Sequence, residues 1–115
     1  MKKLSENLVI EKKSKFYGFM YSIDSVDEVA SIIEMLRKEH KKARHICYAY
    51  KFGTLERKNE DKEPSGSAGL PILEVIKNNN LDNALIVVVR YFGGTLLGRG
   101  LLTRTYFKCA NGLKK

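Results

Sequence analysis

The stretch Ala84-Leu85-Ile86-Val87-Val88-Val89-Arg90-Tyr91-Phe92-Gly93-Gly94-Thr95-Leu96-Leu97-Gly98-Arg99-Gly100 decides how this chain is read. Its first half is an unbroken apolar, largely β-branched run, which predicts a buried strand. Its second half holds four glycines in eight residues, Gly93, Gly94, Gly98 and Gly100. Glycines there permit positive φ and close backbone approach, and a helix beginning near Leu101 turns the positive end of its dipole toward the turn. Backbone N–H groups presented in this way suit an anion, and phosphate is the first candidate.

The common phosphate motifs do not fit residue by residue. Gly93 and Gly98 have the spacing of G-x-x-x-x-G-K-[ST], but Arg99 and Gly100 stand where lysine and the magnesium-binding hydroxyl belong. Gly98-x-Gly100 is followed by Thr103 where a dinucleotide fingerprint needs glycine or alanine, and no acidic residue lies downstream to hold a ribose. The structural alternative is a tight strand-to-helix connection with no ligand.

The chain has 115 residues, enough for one domain, 1–115, with a core that needs no disulfide or metal. Cys47 and Cys109 form no C-x-x-C pair and sit among core-like neighbours, so buried thiols in a reducing compartment are expected. Met1-Lys2-Lys3-Leu4 is broken by Ser5, Glu6 and Asn7 before any apolar signal region develops, and Ala84 to Val89 is too short to span a bilayer. A cytoplasmic protein without membrane association is the expectation. Net charge is +8, and from Asn83 to Lys115 there is no acid against six cations, Arg90, Arg99, Arg104, Lys108, Lys114 and Lys115. A single-sign field of this kind favours polyanions, with nucleic acid first among them.

Along the chain, Leu8 to Ile10 and Lys15 to Ile23 read as strands, the second placing Tyr17, Phe19, Tyr21 and Ile23 on one face. Ser25-Val26-Asp27-Glu28 reads as a capping box before a helix on Val29, Ile32, Ile33 and Leu36 that ends near His40. Arg44 to Phe52 alternates as an internal strand, Thr54 to Asp61 is a short edge strand or a loop, and Pro71 opens a second helix that unwinds at Asn78 to Asn80. Leu102, Tyr106, Cys109 and Leu113 give the last helix its apolar face. This order predicts an α+β two-layer sandwich, a mixed β-sheet with the helices on one face.

Glu63-Pro64-Ser65-Gly66-Ser67-Ala68-Gly69-Leu70-Pro71-Ile72-Leu73, with Val89 to Gly94 and Leu97-Gly98-x-Gly100, closely resembles the Impact/YigZ family. Lys13 to Phe16, Ala43-Arg44-His45 and Arg104-x-Tyr106 extend the resemblance over essentially the whole chain. It implies a fold like the second domain of a small-subunit ribosomal protein and the fourth domain of elongation factor G. It also implies a role in translation or RNA binding, with no established enzymatic activity. Eukaryotic members add an N-terminal protein-binding domain that restrains a translation-control kinase, and bacterial members usually add a C-terminal ferredoxin-like domain. Function is therefore expected to reside in the core domain. Three positions depart from the family pattern: Lys62 for a glycine before Glu63-Pro64, Leu101 for a glycine after Gly100, and Arg99 for a frequent alanine.

The expected binding residues are Arg90, Gly93, Gly94, Gly98, Arg99, Gly100, Arg104 and Lys108, taking RNA or ribosome-associated phosphate groups. Arg90 is placed either to clamp phosphate or to pair with Glu63 or Asp61. Tyr91 and Phe92 are stacking candidates of which one must point inward. Arg44 and His45 are accessory, His45 reading first as a hydrogen-bonded core imidazole. The loop residues Glu63, Pro64, Ser65, Gly66, Ser67 and Gly69 superficially resemble the phosphate loop of galactokinase-type kinases, which makes phosphotransfer the rival from another class. The other alternative is a protein-binding adaptor using Tyr17, Tyr21 or Tyr48. No catalytic constellation, metal cluster or cofactor motif is read from the sequence.

Overall fold

The computed structural model describes residues 1–114, so Lys115 lies outside it. Eight elements follow one another: β1 (Lys2–Glu11), β2 (Ser14–Ser22), α1 (Asp27–Glu39), β3 (His45–Phe52), β4 (Leu55–Asn59), α2 (Gly69–Asn78), β5 (Ala84–Tyr91) and α3 (Arg99–Asn111). They build an α+β domain around one five-stranded open sheet in the order β1-β2-β5-β3-β4. Every pairing is antiparallel, where a mixed sheet was expected.

The central strand β5 is buried from Ala84 through Arg90. Side chains alternate across a strand, so a strand buried along its whole length needs cover on both faces. Ile86 and Val88 pack with Phe16, Met20, Cys47 and Ala49 beneath α2 and α3. Leu85, Val87 and Val89 pack with Tyr21, Ile46 and Tyr50 against Val29, Ile32, Ile33 and Leu36 of α1. The domain therefore has three layers, and the expected placement of all helices on one face is corrected: α1 lies opposite the other two.

Two local expectations also change. β1 runs over ten residues rather than three, because its polar half is held on the sheet edge: Ser5 Oγ donates to the Leu113 carbonyl at 2.6 Å and Asn7 Nδ2 to that of Cys109 at 2.9 Å. The capping box is half built. Glu28 Oε1 accepts the Asp24 N–H at 2.6 Å, but no side-chain cap precedes α1.

The register brings the future site together. Arg90, near the end of β5, stands opposite Phe16 on β2 and His45 on β3. The two turns that flank this end of the sheet both adopt left-handed backbone at ordinary residues, Lys12 and Lys13 at φ 45° and 69°, and Asp61 and Lys62 at the same two values. Such tandem positive φ is the geometry of tight primed turns. Lys62, where the family usually has glycine, thus occupies a conformation that favours glycine.

Candidate anion-binding site

A buried carboxylate organises the site. Glu63, whose side chain is 3 % exposed, accepts from Arg90 Nη1 at 2.7 Å and from the Tyr106 hydroxyl at 2.5 Å, both through Oε2. Arg90 is itself 7 % exposed and lies over the Phe16 ring, 5.5 Å from its centroid. Burial first, then the neighbouring Cys47 and Glu63, hold the Tyr106 phenol well above its ordinary pKa, so it stays a donor. Arg90 thus resolves to the ion pair with Glu63 rather than with Asp61.

His45 closes this floor. Its Nδ1 lies 2.6 Å from the Asp61 carbonyl, which can only accept, so Nδ1 carries the hydrogen. Its Nε2 then faces Glu63 Oε1 at 3.4 Å, poised to become an ion pair when a second proton arrives. As read from the sequence, it is a hydrogen-bonded, mostly buried imidazole, 15 % exposed.

Above the floor opens a pocket of ≈ 330 Å³ between the ends of β3 and β5, the glycine-rich loop and the start of α3. Arg44, His45, Arg90 and Arg99 contribute its basic lining, and Phe92, Leu96, Leu97 and Leu102 its apolar walls. Glu63 is the one acid among the lining residues, and it is engaged by Arg90. The charges of Arg44 and Arg99 are therefore uncompensated within the pocket. The Arg44 guanidinium lies over Phe92, 4.6 Å from the ring centroid, and Arg99 Nη2 donates to the Ser65 carbonyl, tying the Glu63–Gly69 loop to the start of α3. α3 begins at Arg99, two residues before the expected Leu101, after Gly98 at φ 74°, with neither a side-chain cap nor an acid in its first turn.

The four glycines serve different purposes. A Cβ on Gly93 would fall 2.1 Å from the Lys13 carbonyl carbon, and its N–H donates to Ser14 Oγ at 3.2 Å, so this glycine is a backbone crossing. Gly94 and Gly98 have positive φ with open space around them, and Gly100 lies inside the first turn of α3. A single four-glycine cradle is not what the chain builds. Of the predicted residues, Arg90, Gly98, Arg99, Arg44, His45 and Phe92 line one pocket with Glu63 and Pro64, whereas Arg104 and Lys108 lie exposed on α3 and do not line it. Tyr91 turns inward toward Tyr17 and Phe92 stays at the surface, as alternation required.

The Ser65–Gly69 loop is occupied by the chain itself. Glu60 Oε2 accepts from the N–H groups of Ala68 at 3.0 Å and Gly69 at 2.8 Å, while Oε1 accepts from Gly66. Burial alone would raise the Glu60 carboxyl, but these N–H donors and Lys58 outweigh it and hold its pKa below the ordinary value. The positive end of α2 is thereby filled, which removes the likeness to a kinase phosphate loop.

Sequence reasoning missed a second, shallower depression lined by Lys13, Lys15, Tyr17, Tyr91 and Phe92. It shares Phe92 with the arginine pocket. These residues are distant from the glycine loop in sequence, and only the β2–β5 pairing of Lys15 with Tyr91 brings them beside it. Among the described residues no grouping suits a metal ion and no helix is long and apolar enough to cross a membrane.

Comparison with known proteins agrees with this architecture. The family model of the Impact N-terminal domain matches residues 12–113. IMPACT family member YvyE of Bacillus subtilis is 39% identical over 111 residues, 94% of this chain and 51% of its own. YigZ of Escherichia coli is 37% identical over 100 residues, 83% of this chain and 49% of its own. The chain thus spans about half the length of these curated relatives. A crystal structure of a hypothetical protein superposes with a TM-score of 0.91 at 31% identity, over 98% of this chain and 60% of that one. The two-domain translational regulator Yih1 shares the fold, with a TM-score of 0.60 at 20% identity over 93% of this chain and 45% of its own. With its family motifs lying at one end of the sheet and the domain match running nearly from end to end, the chain belongs to the IMPACT family.

Proposed function

We propose that this domain is a non-enzymatic, translation-linked module that binds a phosphate-rich partner, RNA first, across the arginine pocket and the adjoining lysine–tyrosine depression. One observation carries the reading: two uncompensated guanidinium groups and two lysines flank a surface phenylalanine that both depressions share. Cations that track a phosphate backbone, with an aromatic ring on which a base can stack, are the two elements of single-strand binding. The link to translation rests on family membership and on the likeness to a protein described as a translational regulator. The two free, buried cysteines suit a reducing cytoplasm.

The test is a titration of fluorescent single-stranded RNA at several salt concentrations. Affinity should fall steeply with salt, and Arg44→Gln with Arg99→Gln should lower the log–log slope by about two units, about one per lost phosphate contact. Binding that ignores salt refutes the reading, and an unchanged slope in the double variant places the interface elsewhere. The adaptor alternative has an observation of its own. Leu8 and Ile10 are exposed on the edge strand β1, where a protein partner could pair.

A further inference from the structure

Resting on that reading, we infer that the arginine pocket is an end site: it takes a nucleotide carrying a terminal phosphate monoester rather than an internal stretch of backbone. An internal phosphodiester has chain on both sides and needs a groove open at both ends. This pocket is walled on one side, where Arg99 reaches the Ser65 carbonyl and ties the Glu63–Gly69 loop to the start of α3. It communicates through Phe92 with the lysine–tyrosine depression. A strand entering along Lys13 and Lys15 therefore runs out of path in the pocket.

Charge and size agree with a terminal nucleotide. A phosphate monoester carries close to two negative charges near neutral pH, against one for a diester, and the pocket offers two uncompensated guanidinium groups, Arg44 and Arg99, once Glu63 has neutralised Arg90. Arg90 is 5 % exposed, lines the pocket, and has a buried Nε with no hydrogen-bond partner. A buried donor left unsatisfied is rare in folded proteins and marks a place for an acceptor. The start of α3 adds uncapped backbone N–H groups at the same rim. The ≈ 330 Å³ volume sits at the lower end of small-ligand pockets, as a single nucleotide requires. Phe92 supplies a ring for its base where the pocket opens.

The experiment compares RNA oligomers of about ten nucleotides, a length within the range of common single-strand sites, in three forms: 5′-phosphorylated, 3′-phosphorylated and hydroxyl at both ends. Adenosine monophosphate and inorganic phosphate are titrated alongside, binding being followed by amide chemical shifts and anisotropy. One phosphorylated oligomer should bind about 10-fold tighter than the hydroxyl-ended form, the gain of a charge-assisted contact, and which one does so identifies the end. Arg44→Gln and Arg99→Gln, both at exposed side chains, should erase that difference while Lys13→Gln with Lys15→Gln weakens all three oligomers alike. Phe92→Ala should weaken adenosine monophosphate by about 10-fold, as expected for a lost stacking platform, and inorganic phosphate less. Equal affinity for the three oligomers, still dependent on salt and on the arginines, overturns the end site and leaves the polyanion reading standing. Binding of no oligomer overturns both.

Discussion

The Glu63–Arg90 pair at the pocket floor offers a direct test of whether the site is dry. Both side chains are under one tenth exposed and meet at 2.7 Å, with Tyr106 donating to the same carboxylate oxygen. Removing one member of such a pair leaves an uncompensated buried charge and costs about 3–5 kcal/mol, whereas replacing both with uncharged groups costs far less. Glu63→Gln keeps an acceptor for Tyr106 but strands the guanidinium, for an expected loss of about 3 kcal/mol. Arg90→Met strands the carboxylate, which can take up a proton, so about 2–3 kcal/mol is expected. The double variant keeps neither charge and should lose only about 2–3 kcal/mol, a coupling of roughly 2–3 kcal/mol against the summed singles. Urea unfolding followed by circular dichroism measures all four proteins, and an unchanged m-value validates the comparison. Additivity within about 0.5 kcal/mol would falsify the dry ion pair and with it the pocket floor described above.

Other predictions follow from single positions. Gly93→Ala places a Cβ into the backbone of Lys13 and Ser14 and should destabilise by about 3 kcal/mol or more, while Gly94→Ala, at φ 93° in open space, should cost only about 1 kcal/mol; equal losses in thermal melts would remove the assigned division of roles. Lys62→Gly should gain about 0.5–1 kcal/mol, left-handed strain relieved less the added freedom of the unfolded chain, and a loss of stability would contradict the positive φ. Glu60→Gln should lose about 1–2 kcal/mol at neutral pH by uncapping α2. Because the folded carboxyl lies below its ordinary 4.5, its contribution is present above that value and fades as pH falls through the folded pKa, so the gap from the parent protein should close in acid; a pH-independent gap would show that the charge is irrelevant.

Much of the fold was legible because periodicity reports burial directly. The alternation of Tyr17, Phe19 and Tyr21 and of Ile46, Tyr48 and Tyr50 places both sets on the α1 face, and Leu102, Tyr106 and Cys109 mark the buried side of α3. The layer count was also present in the sequence: Ala84 to Val89 has no polar residue, and a strand with nothing to show to water must be covered twice. The polar half of β1 was hidden, since its strand character comes from Ser5 and Asn7 docking on carbonyls at the end of α3, contacts separated by over a hundred residues. The site was legible in its residue types and not in its grouping. Charge spacing put Arg104 and Lys108 beside Arg99, yet the first turn of α3 reaches the pocket and the later turns carry their cations away from it.

The two glycine-rich helix starts show how this chain separates structure from recognition. Both begin after loops that free backbone N–H groups, and both direct the positive end of a dipole toward a neighbouring carboxylate or cavity. At α2 the demand is met internally, since Glu60 reaches from the end of β4 to Gly66, Ala68 and Gly69, and the motif Glu63–Gly69 is shaped around that carboxylate. At α3 no acid stands in the first turn and no side chain caps the helix, while Arg99 and Arg44 add positive charge at the same rim. Glu63 lies within reach but is committed to Arg90 and Tyr106. A fold that satisfies one helix start with its own carboxylate and surrounds the other with guanidinium groups has placed its unmet electrostatic demand at a single rim, and a phosphate supplied from outside is the group that meets it.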